Sequence, residues 1–92
     1  MKTYYVYIIT NQNNNVLYTG ITSNIEKRMY EHKNKIINGF SSKYNLTKLV
    51  YVEQCGDANE AISYEKKIKG VTRSRKIELI EESNKNWEDL ST

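Results

Sequence analysis

The strongest constraint in this chain is a pair of strand-like runs near its start, separated by an asparagine-dominated stretch. Residues 3–10 (TYYVYIIT) are β-branched or aromatic throughout, which suits a strand buried on both faces. Residues 11–15 (NQNNN) tolerate positive φ and interrupt the run. Residues 16–22 (VLYTGIT) resume it, so the two runs read as a hairpin. If the loop is residues 11–14, Tyr7 sits opposite Tyr18 and their side chains share a face. Two facing tyrosines are most often simple aromatic packing. Gly20, inside the second run, signals a bulge or a close backbone approach.

The remaining pattern alternates helix and strand. Ser23-x-x-Glu26 reads as a capping box opening a helix to about Ile37, with Asn38-Gly39 as its stop. Residues 40–45 read as a loop and residues 46–54 (LTKLVYVEQ) as a third strand. Asp57 caps a second helix through Lys69, ended by Gly70, and Thr72 or Ser74 caps a third through about Asn84. This order predicts an α+β fold: a small three-stranded, mainly antiparallel sheet, β-β-α-β-α-α, flanked by helices. At 92 residues the length fits a single domain over 1–92, with a core of about 3–80 and an acidic C-terminal tail over 81–92.

Composition removes several function classes. A domain this small leaves roughly 40% of its unfolded-chain surface exposed, which disfavours a deep cofactor cavity. No apolar run approaches the ~20 residues of a membrane span. No signal peptide is visible, and the lone Cys55 gives neither an internal disulfide nor a zinc-ligand set. A cytoplasmic protein without membrane contact is expected. Cys55 and Trp87 read as core-packing residues.

The net charge of +3 is segmented. Residues 24–48 carry six basic side chains against two acidic ones. Residues 64–77 hold Lys66, Lys67, Lys69, Arg73, Arg75 and Lys76 against Glu65 alone, whereas residues 78–92 hold five acids and one Lys. Solvated helix faces would explain this, and so would a basic face that meets phosphates.

Chemistry enters where polar residues fall on apolar stripes. Around the first helix, Ile25, Met29 and Ile36 define one stripe; His32 falls inside it, at about −20° from Ile25, and Arg28 on its flank, at about −60°. A lone His there is ordinarily a satisfied core residue, but a guanidinium stays charged and demands acceptors. On the second helix Ala58, Ala61, Ile62 and Ile68 form the stripe, and Glu65 lies at about −20° from Ala58. A carboxylate so placed must be paired, protonated or bound to a cation. A structural salt bridge to Arg28 or Lys69 is the plain alternative to a functional role. Beside an inward Arg, His and Glu, Tyr7 and Tyr18 become candidate active-site phenols. Ser41, Ser42 and Lys43 lie on a loop that could border such a site.

In this order the residues resemble the GIY-YIG nuclease superfamily, in particular its small single-domain bacterial members. Tyr5-Val6-Tyr7 matches the first signature and Tyr18-Thr19-Gly20 the second. Arg28 and His32 match the Arg and the His or Tyr of the family's downstream helix, and Glu65 matches the metal-binding Glu. The sequence departs from the pattern in having Tyr5 in place of the leading Gly, and Ile77 near the position where many members carry Asn.

The resemblance implies a metal-dependent endonuclease hydrolysing phosphodiester bonds, with DNA the expected polymer. Its catalytic set would be Tyr7, Tyr18, Arg28, His32 and Glu65. Glu65 would be the one protein ligand of Mg²⁺, or of Mn²⁺, since Mg²⁺ keeps most of its waters. Tyr7 would be the general base, and Arg28 would meet a non-bridging phosphate oxygen. Lys66, Lys67, Lys69, Arg73, Arg75 and Lys76 would contact the nucleic-acid backbone. With no further DNA-binding domain in these residues, target specificity would be low or supplied by a protein partner. The competing reading is a nucleic-acid-binding module on the same fold with little or no catalysis.

Overall fold

The computed structural model describes residues 2–37 and 39–92. Strands β1 (Tyr4–Thr10) and β2 (Leu17–Thr22) form the N-terminal hairpin, and β3 (Lys48–Cys55) pairs antiparallel with the other side of β1. The strand order is therefore β2-β1-β3. The helices are α1 (Ile25–Lys33), α2 (Phe40–Lys43), α3 (Ala58–Gly70) and α4 (Arg73–Ser83). The α+β order is the expected one, with a single helical turn, α2, where the sequence reads as a loop.

The hairpin register differs from the expectation. Thr10 faces Leu17, Tyr7 faces Gly20, and Tyr18 faces Ile9. The loop is longer because the Asn11 carboxamide oxygen accepts from the amides of Asn15 and Val16, and Asn14 takes a φ of 57°. The displacement is two residues, so side-chain parity survives and Tyr7 and Tyr18 still share a face.

Central β1 is buried on both sides, as its composition requires. One face packs Val6, Ile8, Val50, Tyr51 and Cys55 against Ala61 and Ile68 of α3 and Ile80 of α4. The opposite face packs Tyr7, Ile9 and Leu49 against Met29 of α1 and Leu46. A bulge between Ile8 and Ile9 in the β1–β3 ladder leaves Val50 as the extra residue, which is why Val50 and Tyr51 reach the same core.

Helix α1 starts and stops differently from the expectation. Its N-cap is Asn24, whose side chain accepts from the Lys27 amide, and not Ser23. Thr22 fixes that entry by accepting from the Asn24 amide. The helix ends at Lys33 and does not continue to Ile37. Lys35 adopts a φ of 54°, its amide donates to the His32 carbonyl, and the Ile36 amide donates to the Glu31 carbonyl. That pair of bonds is a Schellman closure. Ile36 is consequently exposed and does not belong to the buried stripe. The stop expected at Asn38-Gly39 includes Asn38, which lies outside the described residues. Asp57 and Thr72 cap α3 and α4 by accepting from the amides of Glu60 and Arg75.

After α4 the acidic tail is a docked segment. Trp87 packs on the first core, the Leu90 amide donates to the Leu49 carbonyl, and Asp89 accepts from the Leu49 amide and pairs with Lys33 at 2.9 Å. Asn84 adds a bond to the Val50 carbonyl. The tail thus covers the outer edge of β3 at Leu49 and Val50, groups that an edge strand otherwise leaves open. Among the described residues no helix is long and apolar enough to cross a membrane.

Candidate active site

The site is built around the Tyr7 hydroxyl. Tyr7 stands opposite Gly20, and its ring lies over that glycine: a Cβ at position 20 would meet Tyr7 Cζ at 2.5 Å. Gly20 therefore serves the close approach of a side chain, and neither a bulge nor a close backbone approach as expected. Because β2 is an edge strand, this places the phenol oxygen above the rim of the sheet.

Helix α1 brings two side chains to that oxygen. Arg28 Nη1 donates to it at 3.4 Å, and His32 Nε2 lies 3.1 Å away. His32 Nδ1 in turn lies 3.0 Å from Ser41 Oγ on α2. Tyr7, His32 and Ser41 are buried, whereas the Arg28 side chain is about one-third exposed and reaches solvent. Glu31 holds the other side of the guanidinium, 3.4 Å from Nε. The i, i+4 spacing of Arg28 and His32 is what lets one helix face supply both groups.

Electrostatics fixes the protonation states. Burial pushes the Tyr7 hydroxyl above its ordinary pKa, and the Arg28 bond and charge only partly oppose this. Burial, helped by the Arg28 charge, pushes His32 below its ordinary value against the pull of Glu31. At neutral pH the phenol is protonated and the imidazole uncharged. The consistent assignment has Tyr7 O–H donating to Nε2, and Nδ1–H donating to Ser41.

Tyr18 joins from β2. Its ring lies 6.4 Å from His32, edge-on, and stacks with Phe40 at 6.0 Å. Glu65 comes from α3, the helix packed over β1 and β2. Its side chain is 17% exposed and pairs with Lys69 at 3.4 Å. Among the described residues no hydrogen bond or ion pair joins Glu65 to Tyr7, Tyr18, Arg28 or His32, and among the causes that shift the Tyr7 hydroxyl its charge is the weakest, raising that pKa. Of the two partners open from sequence, Lys69 is the one it meets. That pair sits at the surface, since Lys69 is half exposed, so Glu65 is not locked beneath a sealed core. The buried face of α3 is centred on Ala61 and Ile68, with Glu65 at its border; Ile62 is turned outward and is exposed, contrary to the expected stripe.

No group of three His, Cys, Asp or Glu side chains converges among the described residues. A cation needing three protein ligands does not fit. Glu65 offers a single carboxylate, paired with Lys69, so a Mg²⁺ there would have to draw its other ligands from water and a substrate phosphate.

Most of the basic segment is directed outward, with Lys69, Arg73 and Arg75 exposed although both arginines also have internal partners. Arg73 donates to the Asn15 carbonyl and ties down the hairpin tip, and Arg75 pairs with Glu78 and Glu82. Lys66 and Lys67 are exposed, and Lys76 is half-buried. Beside Arg28, a polar cleft of about 330 Å³ is lined by Thr22, Ser23, Asn24, Lys27 and Glu31. A larger apolar groove, about 600 Å³, lies on the other flank of α1 and includes none of the candidate catalytic residues. Ser41 is the contributor that sequence reasoning placed only near the site. Its signal is faint, because its role depends on α2 folding back onto α1.

Comparison with known proteins bears on the family and the fold. A family model described as the GIY-YIG catalytic domain matches residues 3–78. A UPF0213 protein of Staphylococcus haemolyticus is 38% identical over 86 residues, covering 89% of this chain and 99% of its own. One from Clostridium perfringens is 42% identical over 80 residues, covering 83% and 81%. The solution NMR structure of a UPF0213 protein from Bacillus halodurans superposes with a TM-score of 0.60 at 25% identity, covering 98% of both chains.

Proposed function

The chain belongs to the GIY-YIG family, and from that premise we propose that it is a metal-dependent endonuclease hydrolysing phosphodiester bonds in DNA. The observation that carries this is the Tyr7 hydroxyl held between the Arg28 guanidinium and the His32 imidazole at the sheet rim. Arg28 binds a non-bridging oxygen of the scissile phosphate through the nitrogens left open to solvent, and its fixed charge opposes the charge that develops there. Tyr7 removes a proton from the attacking water as its own proton passes to His32 Nε2. Ser41 keeps the imidazole in the accepting tautomer. The Tyr18 hydroxyl orients water or phosphate. Glu65 holds Mg²⁺ or Mn²⁺, which supplies, when bound, charge stabilisation at the phosphate and the leaving oxygen. Lys66, Lys67, Lys69 and Lys76 attract the backbone, with Arg73 and Arg75 available where their internal pairs exchange. A partner protein would add target selection.

The raised pKa of Tyr7 favours a second reading, a nucleic-acid-binding module with little catalysis, because a buried phenol is a poor base until its proton has somewhere to go. One experiment separates the two. Plasmid and single-stranded DNA are incubated with Mg²⁺, Mn²⁺ or EDTA, using the wild type, Tyr7→Phe, Arg28→Ala and Glu65→Gln. The nuclease reading expects metal-dependent cutting that falls by about 100-fold or more in each variant. Salt-sensitive binding with no cleavage under any condition would establish the module instead.

A further inference from the structure

A row of aromatic rings leads out of the site. Tyr18 stacks on Phe40 at 6.0 Å with 29° between the ring planes, and Phe40 meets Tyr44 at 4.7 Å. Phe40 is 47% exposed and Tyr44 40%. The Lys43 ammonium lies 5.5 Å from the Tyr44 ring centre. The core does not account for these two residues: neither Phe40 nor Tyr44 is part of either buried cluster. Phe40 opens α2 and Tyr44 caps it, and Ser41 of the same turn is bonded to His32, so the turn that sets the imidazole also sets the aromatic shelf.

We propose that Phe40 and Tyr44 form a stacking platform for an unpaired nucleobase next to the scissile phosphate. The proposal rests on the nuclease reading of the same site and names its substrate as a strand with exposed base faces. The shelf starts at Tyr18, whose ring centre lies 6.4 Å from that of His32, and continues outward to Phe40. Bases inside a duplex are stacked on each other and offer edges, not faces, whereas a single strand or a flipped nucleotide offers a face to each ring. Lys43, beside the shelf, supplies the positive charge that a neighbouring phosphate requires. A protein partner would also use exposed aromatics, but the continuity with the candidate catalytic tyrosine favours the nucleotide.

The test is binding without catalysis. Fluorescence anisotropy in EDTA measures affinity for a single-stranded oligothymidine, for the same oligonucleotide with abasic sites, and for a blunt duplex. Wild type, Phe40→Ala, Tyr44→Ala and Phe40→Trp are compared, with circular dichroism confirming the fold. We expect tighter binding to the base-containing strand than to either competitor. Phe40→Ala should weaken it by about tenfold, with Phe40→Trp retaining it. Affinity for the abasic strand should be unchanged across the variants. Equal affinity for abasic and base-containing strands, or no effect of Phe40→Ala, overturns the platform even if the protein cuts DNA. A base-dependent loss in Phe40→Ala supports it even if no substrate is cleaved, so its failure and that of the nuclease reading are told apart.

Discussion

A methyl group added at position 20 has nowhere to go, because the Tyr7 phenol already fills that space. Gly20→Ala must displace a buried ring whose hydroxyl is the meeting point of Arg28 and His32. We expect a stability loss of about 1–3 kcal/mol by chemical denaturation, as for other overpacked positions. Cleavage should fall as far as in Tyr7→Phe, since the oxygen leaves its partners. Wild-type cleavage in Gly20→Ala would show that the phenol need not sit there. This coupling is half legible in the sequence. Parity alone puts Tyr7, Tyr18 and Gly20 on one face, but which residue faces Tyr7 depends on the Asn11 side chain holding a longer loop. Glu65 teaches a related lesson. Its border position and its surface pair with Lys69 make Glu65→Gln nearly neutral for stability in the metal-free protein. A loss of several kcal/mol on denaturation would mark it as a structural ion-pair residue.

At the scale of elements, the capping residues mark both ends of α3 and α4 to within about a residue, whereas α1 is located by periodicity without its ends. The α1 stripe carries His32 and Met29 inward correctly and fails at Ile36, because the chain leaves the helix at Lys35. Nothing in the apolar pattern announces that stop; it comes from carbonyls closed by the amides of Lys35 and Ile36. A lysine in the left-handed region carries a steric cost that glycine avoids. Lys35→Gly should therefore raise stability by about 0.5–1 kcal/mol, read from the urea midpoint at unchanged slope. A destabilised Lys35→Gly would mean that the side chain, not the backbone, holds the α1 exit. Helix α2 is legible only afterwards. Four residues are too few for a periodic signal, yet they carry Ser41 and the exposed Phe40, with Tyr44 as their C-cap.

For the whole molecule, two titrating groups record two different closures, and they respond to acid in separate windows. His32 is buried and uncharged beside Tyr7 and Arg28, with a folded pKa below its ordinary 6.5. The unfolded chain gains that proton as pH falls through 6.5 while the native state does not, so stability declines below about 6.5 and levels off once the folded value is passed. Asp89 belongs to the other closure, the clasp of the tail on β3. Burial alone would raise its pKa, but bonds from Ser91, Lys33 and the Leu49 amide outweigh burial and hold it below 3.8. Its contribution is complete above about 3.8 and is lost as pH falls through the lower folded value. Urea denaturation between pH 3 and 8 should therefore show a first decline beginning near 6.5 and a second below 4. His32→Gln should abolish the first and keep the second, and Asp89→Asn should do the reverse. The slopes decide this, not the absolute stabilities, because each variant also loses hydrogen bonds. A decline from 6.5 that persists in His32→Gln would mean that the imidazole beside Tyr7 is not held neutral, which removes the acceptor on which the proton path from Tyr7 depends.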